Sequence, residues 1–256
     1  MKLSSTRLWS GVFLAFFCFA VPANAQDFHL LQLEGKDVKW GQALFGTPVK
    51  IRYAFTRSAF DDPGARNCSA MDSIDGLAAQ AGISEGRVEQ EAAAAFADWQ
   101  AVAGVSFEKI DDPQAADLVI GVQRNPRGYA FTNVRTGGPG PAVVSSGKTQ
   151  DRGLNLPHVT PETEKKAGPS QIAPIAKALI CFNPERAWKV GFDGNSDAYD
   201  IRYTFLHEIG HAIGLDHVVK RQSLMNFKYT EAFRAPQKGD VEGARLLYGP
   251  PVALSR

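Results

Sequence analysis

Cysteine is scarce in this chain, three residues in 256. One of them, Cys18, has no lipobox before it, which argues against a lipid anchor there. Charge of one sign is also lacking. The formal net charge is +1, and it becomes −1 once Lys2 and Arg7 are set aside. That balance gives no electrostatic case for binding nucleic acid or an anionic membrane surface. After residue 25 no apolar run is long enough to span a bilayer. The irregular stretch 26–40 is far too short to be a folded inhibitory propeptide and reads as a short leader.

The N-terminus carries the pattern of a secretory signal peptide. Lys2 and Arg7 give a positive start, Leu8 to Ala20 is apolar but short for a membrane anchor, and Ala23-Asn24-Ala25 is an A-x-A cleavage site. Residues 1–25 are expected to be removed. The mature chain from near Gln26 is then secreted, extracellular or periplasmic, off the membrane and monomeric. Its size suits one domain with a proper core. Cys68 and Cys181 remain in a compartment that permits oxidation, so a disulfide between them is the expectation. The competing use is a thiolate that closes the open position of a metal.

The most informative stretch is Phe205 to His217, with the pattern H-E-x-x-H-x-x-G-x-x-H. On a helix His207 and His211 sit about 40° apart, one turn above each other, and two imidazoles can reach one ion. Glu208 is about 100° round from His207, outside the ligand set but close enough to serve a metal-bound water as general base. Gly214 can adopt the left-handed conformation that ends a helix, so that His217 supplies a third nitrogen. Three protein ligands leave a fourth position open, as in catalytic rather than structural zinc sites. Chance would produce this five-position pattern on the order of once in 10⁵ chains of this length.

Hydrophobic periodicity outlines an α+β fold, a mixed twisted sheet with helices packed on it. Residues 49–55 alternate as a strand, 57–83 read as an insertion carrying Cys68, and 84–103 form an amphipathic helix with Ser84 as N-cap and Trp99 on its core face. Strands are expected over 105–110, 117–122, 129–134 and 178–183, with a long Gly/Pro-rich loop over 136–174 in which His158 is a surface residue. The Asp193 to Asp197 cluster offers oxygens suited to calcium, but the same residues make an ordinary turn and N-cap, which is the preferred reading. Helices follow over 198–213 and 236–248.

These residues resemble the metzincin zinc proteases, and among them the matrixins. Met225, eight residues past His217, matches the clan's methionine turn. Leu247-Tyr248-Gly249 after Asp240 resembles the end of the matrixin C-terminal helix, Phe96-Ala97-Asp98-Trp99 its first helix, and Lys39-Trp40 its mature N-terminus. The resemblance implies a metzincin fold of about five strands and two long helices, with a C-terminal subdomain holding the methionine turn and the final helix. It implies a catalytic domain over 41–256 of the secreted bacterial type, without hemopexin domain or cysteine-switch prodomain. The implied activity is that of a zinc endopeptidase of extracellular matrix-degrading type. It would hydrolyse extended protein or peptide substrates through a zinc-bound water with Glu208 as base, using one catalytic ion. The histidines of the family's second, structural zinc are missing near Gly128-Tyr129-Ala130-Phe131 and Ile180-Cys181-Phe182-Asn183. Substrate is expected to lie antiparallel along a sheet edge at 129–134, with residues 227–236 walling the side-chain pocket. A zinc-dependent binding protein and an enzyme for a non-peptide amide are the rival readings.

Overall fold

A computed structural model describes residues 27–137, the backbone of 143–146, and residues 171–252. The expected signal peptide and His158 lie outside the described residues. Along the chain run β1 (His29–Leu30), β2 (Gln32–Leu33), β3 (Lys36–Lys39), β4 (Val49–Phe55), β5 (Phe60–Asp61), β6 (Ala70–Asp72), α1 (Asp75–Ala81), α2 (Glu85–Val102), β7 (Val105–Lys109), β8 (Leu118–Gln123) and β9 (Ala130–Thr136). Then come β10 (Val143–Ser146), β11 (Ile172–Phe182), β12 (Trp188–Lys189), β13 (Tyr199–Asp200), α3 (Ile201–Ala212), β14 (Leu215–Asp216) and α4 (Lys238–Tyr248).

The class is α+β. The main sheet has the order β10-β9-β11-β8-β4-β7, and β2, β3, β5 and β6 join it off that path. Strands β7, β4, β8 and β11 run parallel, whereas β9 is antiparallel to β11 and β10 antiparallel to β9. The strands beyond the expected five come from segments without periodicity. The 57–83 insertion holds the β5–β6 hairpin and α1. The expected edge at 129–134 is not a free edge, because β10 covers β9 on its outer side.

In β4 Ile51, Tyr53 and Phe55 are buried while Lys50 and Arg52 face solvent, the alternation of a strand with one covered face. Every residue of β8 is buried, as befits a parallel strand flanked on both sides. One face of the sheet packs on α2 and α3. Ser84 accepts a bond from the Arg87 amide at 3.2 Å to cap α2, and Val88, Ala92, Ala95, Phe96 and Trp99 form its buried stripe. Phe96 meets Tyr53 with ring centroids 4.2 Å apart.

The other face carries a smaller core of Ala54, Phe60, Met71, Val119, Phe131 and Leu179 around the disulfide Cys68–Cys181. With both sulfurs bridged, neither thiolate is available to a metal.

Residues 27–40, expected as a leader ahead of the domain, are built into it. Leu31, Leu33, Val38 and Trp40 are buried in the main core. Strand β3 pairs parallel with β11, and β1 pairs with β14. Lys39 is wholly buried, with Nζ donating to Trp40 O at 2.9 Å, Gln42 O at 2.8 Å and Thr47 Oγ1 at 3.0 Å, 5.1 Å from the Tyr248 ring. Burial lowers its pKa to about 8. This segment shows no helical or strand period because its short strands answer to three different partners. Among the described residues no helix is long and apolar enough to cross a membrane.

The bridged cysteines lie 113 residues apart, so the crosslink restrains a long loop of the unfolded chain. Replacing both by alanine is expected to lower the unfolding free energy by about 2–5 kcal/mol, measured by urea denaturation under oxidising conditions. Unchanged stability would show that the link contributes nothing.

Candidate metal centre

The centre is assembled on α3, whose start is fixed by a buried charge. Asp200 is fully buried and accepts bonds from Tyr203 N at 2.7 Å, Gly191 N at 2.6 Å, Arg234 Nε at 3.1 Å and Arg234 Nη2 at 3.0 Å. It is the N-cap, three residues beyond the Asp193–Asp197 cluster. Those upstream oxygens have another partner. The Lys189 ammonium lies against Asp193 Oδ1 and Glu231 Oε1 and donates to Asn195 O at 2.6 Å, in the place where a calcium ion was considered.

Three aromatic side chains bond carbonyls of α3, one at mid-helix and two at its C-terminal end. Trp99 Nε1 donates to Leu206 O at 2.9 Å, Trp40 Nε1 to Ala212 O at 2.7 Å, and Tyr248 OH to Ile213 O at 2.7 Å. Helix-end carbonyls lack intrahelical donors, and these groups supply two of them. Gly214 then turns the chain at φ +101°, and a Cβ there would meet Val38 O at 2.3 Å. Both the conformation and the space require glycine.

The turn returns His217 to the helix. Its Nε2 lies 3.2 Å from those of His207 and His211, which are themselves 3.1 Å apart. A tetrahedral ion bonded at about 2.0–2.1 Å would hold such nitrogens roughly 3.3 Å apart, so the triad fits one zinc. The other ring nitrogens of the two helix histidines are committed: His207 Nδ1 donates to Leu224 O and His211 Nδ1 to Leu215 O, each at 2.8 Å. That fixes the tautomer and leaves Nε2 as the ligating atom. His29 Nδ1 donates to the His217 carbonyl at 3.0 Å. Burial, reinforced by the neighbouring His217, lowers His207 to a pKa of about 3. Burial alone lowers His217 to about 4, and His211 also falls well below its usual value.

Glu208 is completely buried beside the triad. Thr132 of β9 donates one hydroxyl, shared between Glu208 Oε2 at 2.7 Å and the Glu208 carbonyl at 2.9 Å. Glu208 Oε1 has no hydrogen-bond partner among the described residues, and a buried oxygen of this kind calls for a ligand or water. Burial raises the carboxyl to a pKa of about 8 in the ion-free chain, against the opposing Thr132 bond.

On α3, between His207 and His211, Gly210 leaves room for Met225, whose Sδ lies 2.4 Å from where a Cβ would stand. Buried Asp240 holds the turn that carries Met225. It accepts from Ser223 Oγ at 2.5 Å, Leu224 N at 2.8 Å and Gln237 N at 2.8 Å, which joins that turn to the start of α4.

Residues 165–249 match the family model described as matrixin. Over that segment the chain is similar to the matrixins, a family of metzincin proteases. It is 32% identical over 74 residues to Matrix metalloproteinase-16 of Homo sapiens, covering 27% of this chain and 12% of that protein. Against Stromelysin-3 of Xenopus laevis the identity is 26% over 172 residues, covering 66% of this chain and 29% of that protein. Stromelysin-3 of Homo sapiens is 33% identical over 75 residues, 28% of this chain and 14% of its own length. The chain thus spans less than a third of each of these curated relatives. The matrixin-like segment contains α3, all three histidines, Met225 and Leu247-Tyr248-Gly249.

Thr132 stands outside that segment and was not read from the sequence as part of the site. The available signal is a threonine directly after the apolar pair Ala130-Phe131 in a segment expected as a buried strand, since a buried hydroxyl needs a partner. In the sequence Asp240 reads only as a helix residue, because its hold on the 223–225 turn depends on tertiary placement.

Histidines with lowered pKa values stay neutral, and ready to ligate, at every pH above those values. Zinc retention measured with a chromogenic chelator is therefore expected to persist down to about pH 5, and release centred near the ordinary histidine value of 6.5 would contradict it. Asp240→Asn loosens the carbonyl that orients His207 and is expected to cost about 10–100-fold in zinc affinity, measured by competition with the same chelator. Undiminished affinity would show that the Ser223–Met225 turn stands without Asp240.

Proposed function

We propose that this chain is a secreted zinc-dependent endopeptidase acting on extended protein substrates. The observation that carries the reading is the convergence of three Nε2 atoms within 3.2 Å next to a buried carboxylate oxygen without a partner. His207, His211 and His217 hold one Zn²⁺ in this reading. When bound, the ion supplies Lewis-acid polarisation of a water and of the scissile carbonyl.

The chain's own residues do the rest. Glu208 is the general base. With Oε2 tied to Thr132, the proton is taken at Oε1 and passed from there to the departing amine. The raised carboxyl pKa favours proton uptake, while the positive charge of an ion nearby opposes it. Thr132 positions Glu208 without touching substrate. Met225 forms the methionine turn beneath the ion, and Gly214 allows the return that brings in His217. The segment 227–236 walls the side-chain pocket. It is fastened to the α3 start by Tyr229 OH, which accepts from Asp200 N at 3.0 Å, and by Arg234, whose Nη2 reaches both Asp200 and Glu91. Secretion is supported by the positive start, apolar core and A-x-A site of residues 1–25.

The zinc-loaded chain is expected to cleave a denatured protein, with activity abolished by a chelator and restored by zinc. Absence of cleavage by the loaded wild type would refute the endopeptidase reading and leave a zinc-binding protein. Glu208→Gln is expected to lower kcat by about 10²–10⁴-fold while zinc content stays at one per chain. Thr132→Val is expected to lower kcat about tenfold with KM unchanged, and Thr132→Ser to restore it. Equal kcat for the Val and Ser variants would remove Thr132 from the account.

A further inference from the structure

Strand β9 is hydrogen-bonded to the general base through Thr132. Its inner side is bonded to β11, so its outer row of main-chain N–H and C=O groups is what an extended peptide beside Glu208 would have to use. That row is already taken. Val143–Ser146 lies antiparallel on it, with Val143 opposite Val134, Val144 opposite Asn133, Ser145 opposite Thr132 and Ser146 opposite Phe131. The occupant runs in the antiparallel sense expected for substrate and passes directly beside the residue that holds Glu208.

We propose that β10 is an internal pseudosubstrate, a strand of this chain that fills the peptide-binding edge and must leave before an extended substrate can pair with β9. The inference rests on the endopeptidase reading for its functional meaning. Two peptides cannot share one row of main-chain hydrogen bonds, so occupation by β10 is competitive with substrate. Displacement is within reach because β10 has four residues, against eleven in β11, and a short strand paired on one side is only marginally stable. The sequence Gly137-Gly138-Pro139-Gly140-Pro141 precedes it, a composition that does not favour continuation of the ladder. The apparent affinity for substrate is then reduced by the fraction of molecules with β10 in place. This is a form of restraint that needs no separate prodomain.

The test uses the full zinc-loaded chain. Of two successive strand residues one points its N–H towards the neighbouring strand, so Val144→Pro with Ser145→Pro removes at least one ladder bond. Ser145→Ala keeps the backbone and serves as control. A second variant replaces residues 143 to 146 with glycines, in case the proline pair disturbs folding, and melting temperature is recorded for each. With a fluorogenic extended peptide, both strand-breaking variants are expected to lower KM about tenfold at unchanged kcat, while the alanine control matches wild type. Unchanged or raised KM in both folded strand-breaking variants would overturn the proposal. The same substitutions placed on Glu208→Ala allow labelled peptide binding to be measured without turnover. Tighter binding there, with no cleavage by any Glu208-containing protein, would retain the pseudosubstrate strand and reject the endopeptidase. Cleavage by wild type with equal peptide affinity across all variants would do the reverse.

Discussion

At Gly214 the chain leaves α3 at φ +101°, with Val38 O only 2.3 Å from the position of a missing Cβ. This close approach depends on distant parts of the chain being in place. The N-terminal segment supplies Val38 O, the Leu31 amide that bonds Gly214 O at 2.8 Å, and the Trp40 indole on Ala212 O. The last helix supplies the Tyr248 hydroxyl on Ile213 O. Only when these are docked does the sharp return place His217 against the two helix histidines. The metal centre is thus a product of both ends of the described chain, although its sequence signature occupies eleven consecutive residues.

The same logic explains the polar residues buried around it. Asp200 and Asp240 are charged and enclosed, which would be costly if unpaired. Asp200 has its charge matched by Arg234 and its oxygens used by backbone amides, and Asp240 is hydrogen-bonded throughout the 223–225 turn. Each fixes a backbone segment from which the site is built, the start of α3 in one case and the turn under His207 in the other. Glu208 differs, because one of its oxygens has no partner among the described residues. Among these three buried carboxylates the incomplete one is beside the histidine triad, where chemistry would need a proton acceptor.

How much of this was legible in the sequence followed from how local each determinant is. The convergence of the three histidines and the turn at Gly214 are readable because helix geometry and a single turn relate them. Helix α2 and strands β4, β7 and β8 were readable because each buries one face or both against a continuous core. The leader was misread as lying outside the domain because β1, β2 and β3 are two to four residues long, too short for any period. Thr132 and Asp240 act across 76 and 16 residues of sequence, a relation that no spacing rule conveys. The β9 edge lies beside Glu208 but is covered by four residues from a stretch whose composition suggests only a loop.

The central claim is that three imidazoles, brought together by the turn at Gly214, hold a single zinc with one position left open. Zinc-edge X-ray absorption on the purified full chain, with metal content determined on the same sample, tests it most directly. The account predicts one zinc per chain, bound only by nitrogen and oxygen at about 2.0–2.1 Å, with three imidazole scattering signatures. A sulfur ligand at about 2.3 Å, fewer than three imidazoles, or a second tightly held zinc would contradict it.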